Sequence, residues 1–272
     1  MELLVNGART YAYTGGKPHS PSQPTVVFIH GVLHDHSVWI LQSRFLAHHG
    51  WNVLAIDLPG HARSAGQAPA SVEEAADFVA ALLDAAGIER AALVGHSWGS
   101  LIALEAAARL QSRITHAALV GCAFPMRVSA ALLDSAQHEP AKAIALINQF
   151  SRSTLAAPPS ALGPGTWVDG LNNALNHRVL ASNPQVNVLH RGFLACDRYT
   201  RGLDAVTEVS AKLLFVLGEQ DQMTPAKAAQ PLLHKARELD KSVEVVMVTV
   251  GHHQMNEAPE ATLKALRGFL RG

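Results

Sequence analysis

The stretch Ala91-Ala92-Leu93-Val94-Gly95-His96-Ser97-Trp98-Gly99-Ser100-Leu101 changes character halfway along. A short apolar run, Ala91 to Val94, meets Gly95-x-Ser97-x-Gly99, and helix formers follow from Leu101 to Leu110. So short and apolar a run suits a strand buried on both faces of a parallel sheet. A serine at the tight turn from strand to helix projects its hydroxyl from a strained backbone. Glycines two before and two after let strand and helix approach without side-chain clashes. The serine also stands at a helix N-terminus, where free N–H groups and the dipole favour negative charge. With Gly and Ser each near 7% of residues, Gly-x-Ser-x-Gly arises by chance in about one of ten chains of this length. Its flanks therefore decide its meaning.

On the N-terminal side, Leu3–Val5 and Ala8–Tyr13 flank Asn6-Gly7, a hairpin signal. Thr25–Ile29 and Asn52–Ile56 read as buried strands, separated by a helical Val38–His49. Ser71–Ala86 reads as a helix, with Ser71 as cap, Glu73 and Glu74 in the first turn and Gly87 at its end. On the C-terminal side Ala117–Val120 is a strand. Lys212–Leu217, Ala226–Leu239, Val243–Val250 and Pro259–Leu270 then alternate strand, helix, strand, helix. Such alternation means an α/β class protein, a parallel sheet with helices on both faces. Between them, Pro125 to Thr207 holds no strand signal. Ala130–Phe150 reads as one or two helices and Val186–Tyr199 as another, with breaks at Pro158-Pro159, Gly163-Pro164-Gly165 and Asn183-Pro184. The expected division is a core of residues 1–125 and 208–272 with a helical insertion at 126–207.

A nucleophilic serine needs a base and the base an orienter. His252 follows the strand Val243–Val250, on the sheet edge where sites form in open α/β folds; adjacent His253 competes for the role. Asp221 follows Lys212–Leu217 and is placed to accept the imidazole N–H, with Glu219 as local competitor. No acid follows Ala117–Val120 until Asp134, which argues against an orienter there. After Thr25–Ile29, His30-Gly31-Val32-Leu33 offers a sharp backbone turn. The N–H groups of Val32 and Trp98 are the expected oxyanion donors, and removal of one such donor typically costs about 10²–10³ in rate. His30, Trp39, Phe124 and Met126 are candidate pocket residues. His34-Asp35-His36 has metal-ligand types but no further spaced ligands, so a site-lining or solvated loop is expected and no metal. Cys122 reads as buried after an apolar strand rather than reactive.

Taken together, the order Ser97…Asp221…His252, the turn around Ser97 and the His30-Gly31 loop resemble the α/β-hydrolase family. Asp57-Leu58-Pro59-Gly60-His61-Ala62-Arg63-Ser64 is similar to that family's turn after its fourth strand, with Ala62 where glycine is usual. Gly251-His252-His253-Gln254-Met255-Asn256-Glu257-Ala258-Pro259 is similar to its histidine loop. The resemblance covers residues 1–125 and 208–272 and places the helical segment where many members carry a cap over the active site. It implies an acyl-enzyme on Ser97 and no organic cofactor. Serine at the turn argues against the family's dehalogenases and epoxide hydrolases, which use aspartate. A carboxylesterase is the first expectation. A thioesterase, lactonase, amidase, carbon–carbon bond hydrolase or cofactor-free perhydrolase uses the same triad, and a receptor-like binding protein can retain it.

The whole chain agrees with a small-molecule enzyme. Its 272 residues are 48% hydrophobic and 16% charged, with 22 basic and 22 acidic residues. A net charge of zero gives no general attraction to nucleic acid or anionic membrane. No apolar run approaches the roughly 20 residues needed to span a bilayer, and no signal peptide is evident in Met1–Val5. Two separated cysteines, Cys122 and Cys196, make no disulfide framework, and a cytoplasmic location is expected.

Overall fold

In a computed structural model, which describes residues 1–153 and 168–272, eight strands form one sheet in the order β1-β2-β4-β3-β5-β6-β7-β8. They are β1 (Glu2–Val5), β2 (Ala8–Tyr13), β3 (Thr25–Ile29), β4 (Asn52–Ile56), β5 (Ala91–His96), β6 (Ile114–Val120), β7 (Lys212–Gly218) and β8 (Val243–Val248). β1–β2 and β2–β4 are antiparallel and the remaining pairs parallel. The hairpin turns at Asn6 and Gly7, whose φ values of 49° and 78° are those of the two-residue turn that matches strand twist. Every residue of β3, β4 and β5 is buried, which is why these strands read as unbroken apolar runs.

The helices of the sheet layers are α1 (Ile40–Ala47), α2 (Val72–Ala85), α3 (Trp98–Leu110), α9 (Gln230–Glu238) and α11 (Pro259–Phe269). Alternate strand residues feed two cores. Val27, Ile29, Leu93, Leu119 and Phe215 pack with Leu82 of α2, Leu101 of α3 and Leu232 of α9. Val26, Phe28, Val94, Val120 and Val216 pack with Leu46 of α1 and Leu266 and Phe269 of α11. Between β6 and β7 lie α4 (Ala130–His138), α5 (Pro140–Ser151), α6 (Val168–Ala181), α7 (Val188–Arg198) and α8 (Gly202–Glu208), and a short α10 (Gln254–Glu257) precedes α11. Among the described residues this stretch has no strand.

Several boundaries differ from the sequence reading. Residues 130–150 are two helices because Pro140, lacking an N–H, starts a new one at its first turn. β8 stops at Val248, two residues short of Val250, on a half-exposed edge. Helix α6 was not foreseen: Asn172, Asn173, Asn176 and His177 are weak helix formers that fixed packing overrides. The expected breaks at Pro158-Pro159 and Gly163-Pro164-Gly165 lie outside the described residues.

Candidate active site

Ser97 stands between β5 and α3 with φ 54° and ψ −120°, a conformation that L-residues rarely hold. Surrounding bonds impose it: Ser97 N–H donates to Val120 O at 2.9 Å, and Ser100 Oγ–H donates to Ser97 O at 2.5 Å. The two flanking glycines are steric requirements. A Cβ on Gly95 would overlap the carbonyl of Gly99, and a Cβ on Gly99 would overlap that of Ile29. Trp98 is the first residue of α3, where N–H groups lack a partner in a preceding turn.

His252 lies in the loop after β8 and Asp221 in the loop after β7. His252 Nδ1–H donates to Asp221 Oδ2 at 2.8 Å. Asp221 is buried, and burial alone would raise its pKa. The adjacent His252 and donation from Thr224 outweigh this and hold the carboxyl well below the usual range. Thr224 donates through its N–H and its Oγ–H, each at 2.7 Å, and Met223 N–H adds a bond at 2.9 Å. The competitors point elsewhere. Glu219 accepts from Thr249 Oγ at 2.7 Å, and among the described residues neither ring nitrogen of His253 has a hydrogen-bond partner.

Ser97 and His252 line one cavity of about 210 Å³ together with Val32, Met126, Leu132, Phe150, Phe193, Met223 and Thr224. Among the described residues no hydrogen bond joins Ser97 Oγ to His252; such bonds commonly tighten only when substrate is present. The cavity is walled on the far side by α4, α5 and α7, through Leu132, Phe150 and Phe193. Gly192 of α7 brings this helix onto Val32: a Cβ there would lie 3.0 Å from Val32 Cγ2.

Of the expected pocket residues, Met126 lines this cavity and three others are corrected. His30 is fully buried, donating from Nδ1 to Gly31 O at 2.8 Å and accepting from Leu58 N–H at 3.1 Å, so it ties the loops after β3 and β4. Trp39 is core, its ring 5.1 Å from that of Phe28. Phe124 packs edge-on to Tyr199 at 6.0 Å. Cys196, not Cys122, lines the cavity. Cys122 is buried, and burial pushes its thiol up to about 12.

Two supporting residues escaped the sequence reading. His96 Nε2–H donates to His252 O at 2.8 Å, linking the turn of the serine to the loop of the histidine. Glu257 accepts from Gly251 N–H at 3.1 Å, His253 N–H at 3.1 Å and Ser153 N–H at 2.9 Å. Glu257 stands five residues after His252 in the same quoted loop, but only the folded loop shows that its carboxylate gathers these N–H groups. The Asp35, His36 and Asp57 ligand atoms lie within 4.8 Å of one another. They bond within the protein: Asp35 to Arg178 at 2.7 Å and His36 Nδ1 to Asp57 at 2.7 Å. These bonds tie the loop after β3 to α6 and to the loop after β4.

A family model described as alpha/beta hydrolase fold matches residues 24–154. The dihydrolipoyllysine-residue acetyltransferase component of the acetoin cleaving system of Cupriavidus necator is 39% identical over 118 residues, 43% of this chain; the match spans 30% of that protein. The 2-succinyl-6-hydroxy-2,4-cyclohexadiene-1-carboxylate synthase of Serratia proteamaculans is 27% identical over 263 residues, 91% of this chain and 93% of its own. The enol-lactonase of Burkholderia xenovorans superposes over 100% of both chains with a TM-score of 0.83 at 20% identity. The chain therefore has the α/β-hydrolase fold, and the family model covers residues 24–154 of it.

Proposed function

We propose that this hydrolase cleaves a carboxylic ester of a small molecule through an acyl-enzyme on Ser97. The observation that carries the reading is the Asp221–His252 bond of 2.8 Å beside a serine held at φ 54° in the same cavity. In this reading His252 Nε2 takes the Ser97 proton as Oγ attacks the carbonyl carbon. Asp221 keeps the proton on Nδ1 and stabilises the imidazolium. The N–H groups of Val32 and Trp98 receive the oxyanion. His252 then protonates the departing alcohol, and water, activated by the same imidazole, releases the acid. No step calls for a metal or organic cofactor.

Residues 126–207 serve as a cap in this proposal. Leu132, Phe150 and Phe193 present an apolar wall to the substrate, so the cap selects the substrate while the triad performs the chemistry. The test is hydrolysis of p-nitrophenyl esters of short and medium acyl chains, with labelling by a small organophosphate. Turnover and labelling by the wild type, both lost in Ser97→Ala, is the expected result. Turnover retained in folded Ser97→Ala, or binding of these esters with neither turnover nor labelling, overturns the proposal.

A further inference from the structure

The loop that carries His252 is closely packed by main chain. Gly218, the last residue of β7, lies against it, and a Cβ there would come within 2.3 Å of Gly251 O. The end of α5, part of the cap, lies against it too. A Cβ on Gly251 would fall 2.5 Å from Ser153 N, 2.6 Å from the Arg152 carbonyl carbon and 2.6 Å from Ser151 O. Only a glycine lets the cap backbone approach this loop so closely.

The contact is hydrogen-bonded at several points. His252 N–H donates to Ser151 O at 2.5 Å. Glu257 Oε2 accepts from Gly251 N–H at 3.1 Å and from Ser153 N–H at 2.9 Å, so one carboxylate oxygen bridges the histidine loop and the cap. Glu257 Oε1 accepts from His253 N–H at 3.1 Å. Ser153 Oγ–H also donates to Gln220 Oε1, next to Asp221 in the chain. The His252 carbonyl is taken as well, by His96 Nε2–H at 2.8 Å. Both main-chain polar groups of the histidine are thus fixed, one by the cap and one by the residue before Ser97. The helix that supplies the first bond also faces the substrate, since Phe150, the residue before Ser151, lines the cavity of Ser97 and His252.

We propose that Glu257 is a positioning residue that makes the place of the His252 imidazole depend on the seat of the cap. The proposal rests on the ester-hydrolase reading and goes beyond it: the cap holds the general base as well as selecting the substrate. The ring hangs from its main chain by one Cα–Cβ bond. If the end of α5 shifts, the main chain of His252 shifts with it through Ser151 O and the Glu257 bridge. Nε2 must then move relative to Ser97 Oγ, or the 2.8 Å bond from Nδ1 to Asp221 must stretch. Hydrogen bonds to a carboxylate are roughly twice as strong as those between neutral groups, and Glu257 is buried, out of competition with water. Its bridge is therefore a firm link between cap and base rather than a loose surface contact.

The experiment compares Glu257→Gln, Ser153→Pro and the double variant with the wild type. Glu257→Gln keeps the shape but turns one acceptor oxygen into an NH2 group that faces N–H donors. Ser153→Pro removes the N–H on the cap side of the bridge. Arg152 before it is already extended, at φ −98° and ψ 157°, as a residue preceding proline must be. Two quantities are read per folded protein: kcat and KM for p-nitrophenyl hexanoate, and the rate at which a small organophosphate labels Ser97, a reaction that needs the base but not the apolar wall. In both single variants kcat and the labelling rate are expected to fall together by about ten- to a hundredfold, the range up to a misplacement near 1 Å. KM is expected to stay within about twofold, as for loss of an interaction that serves the transition state. The double variant is expected to be no worse than the more affected single one, because both break the same bridge. Wild-type kcat and labelling in either folded variant overturn the proposal, as do effects that multiply in the double variant. Slower ester turnover with unchanged labelling also overturns it, because the loss then lies in substrate contact. If Glu257→Gln does not fold, Ser153→Pro decides alone by the same two rates. In all these cases an active wild type leaves the ester reading standing; a wild type with neither turnover nor labelling overturns that reading and the proposal with it.

Discussion

At the scale of single residues, the site depends on a carboxylate held by its own loop, by His252 and by Gln254, whose Nε2–H donates to Oδ2 at 3.4 Å. The N–H groups of Thr224 and Met223 donate to Asp221 Oδ1, leaving Oδ2 to Thr224 Oγ, His252 and Gln254. Asp221→Asn keeps the shape but presents an amide N–H toward Nδ1 or favours the wrong tautomer, so kcat is expected to fall by about 10⁴ with a small change in KM. Steady-state kinetics with Ser97 labelling as a control for folding checks this; a loss under tenfold refutes the assignment of Asp221. His252, Asp221 and Ser97 were legible from residue type and position after strands. Their second layer, His96 and Glu257, was not, because its contacts join residues 96 to 252 and 257 to 153, which local patterns do not connect.

At the scale of elements, α2 is an example of a helix written locally. Ser71 Oγ accepts from Glu74 N–H at 3.1 Å, and Glu74 Oε2 accepts from Ala70 N–H at 2.7 Å. Ser71→Ala is expected to cost about 1 kcal/mol, read as a lower denaturation midpoint with an unchanged m-value and unchanged kcat. Helix α7 is the opposite case, since its role is set by what lies beneath it. Gly192 touches the loop that carries Val32, and a Cβ there would press on both Val32 methyls, at 3.0 and 3.1 Å. Gly192→Ala is expected to displace the Val32 N–H and lower kcat more than it raises KM, by up to about a hundredfold, the effect of a misplacement near 1 Å. An unaltered kcat in this variant separates α7 from the oxyanion loop and removes that coupling.

Across the whole molecule, buried neutral histidines link stability to pH. His30, His34, His61, His96 and His253 are buried, and burial lowers the pKa of each, with His61 and His253 near 3. Below about pH 6.5 the unfolded chain takes up protons that the folded chain refuses, so stability is full above that pH and is lost as pH falls toward the folded values. Each such group costs up to about 1.4 kcal/mol per pH unit in that window. Asp221, held low, adds its own loss only further down, below the ordinary carboxylate range near 4. Tm is therefore expected to drop steeply between pH 7.5 and 5, before carboxylates titrate. His61→Phe is expected to flatten the drop by about one proton's worth. Calorimetry across this range decides it, and a constant Tm contradicts the burial of these rings as neutral groups.

The sequence by itself determined the α/β class, the positions of the central strands and the three residues proposed here as the reacting set. These are local facts: apolar runs long enough for one strand, glycines where a Cβ would overlap backbone, and polar residues placed directly after strand ends. Only the tertiary structure decided what surrounds them. Trp39 and Phe124 are large apolar side chains that suit a pocket or a core equally well, and packing sent both to the core. His34, His96 and His253 stand far apart in the sequence. The sheet brings the ends of β3, β5 and β8 to one edge, and there the three rings pack together next to Ser97. Adjacency at a sheet edge follows from strand order, a long-range property that no window of sequence contains.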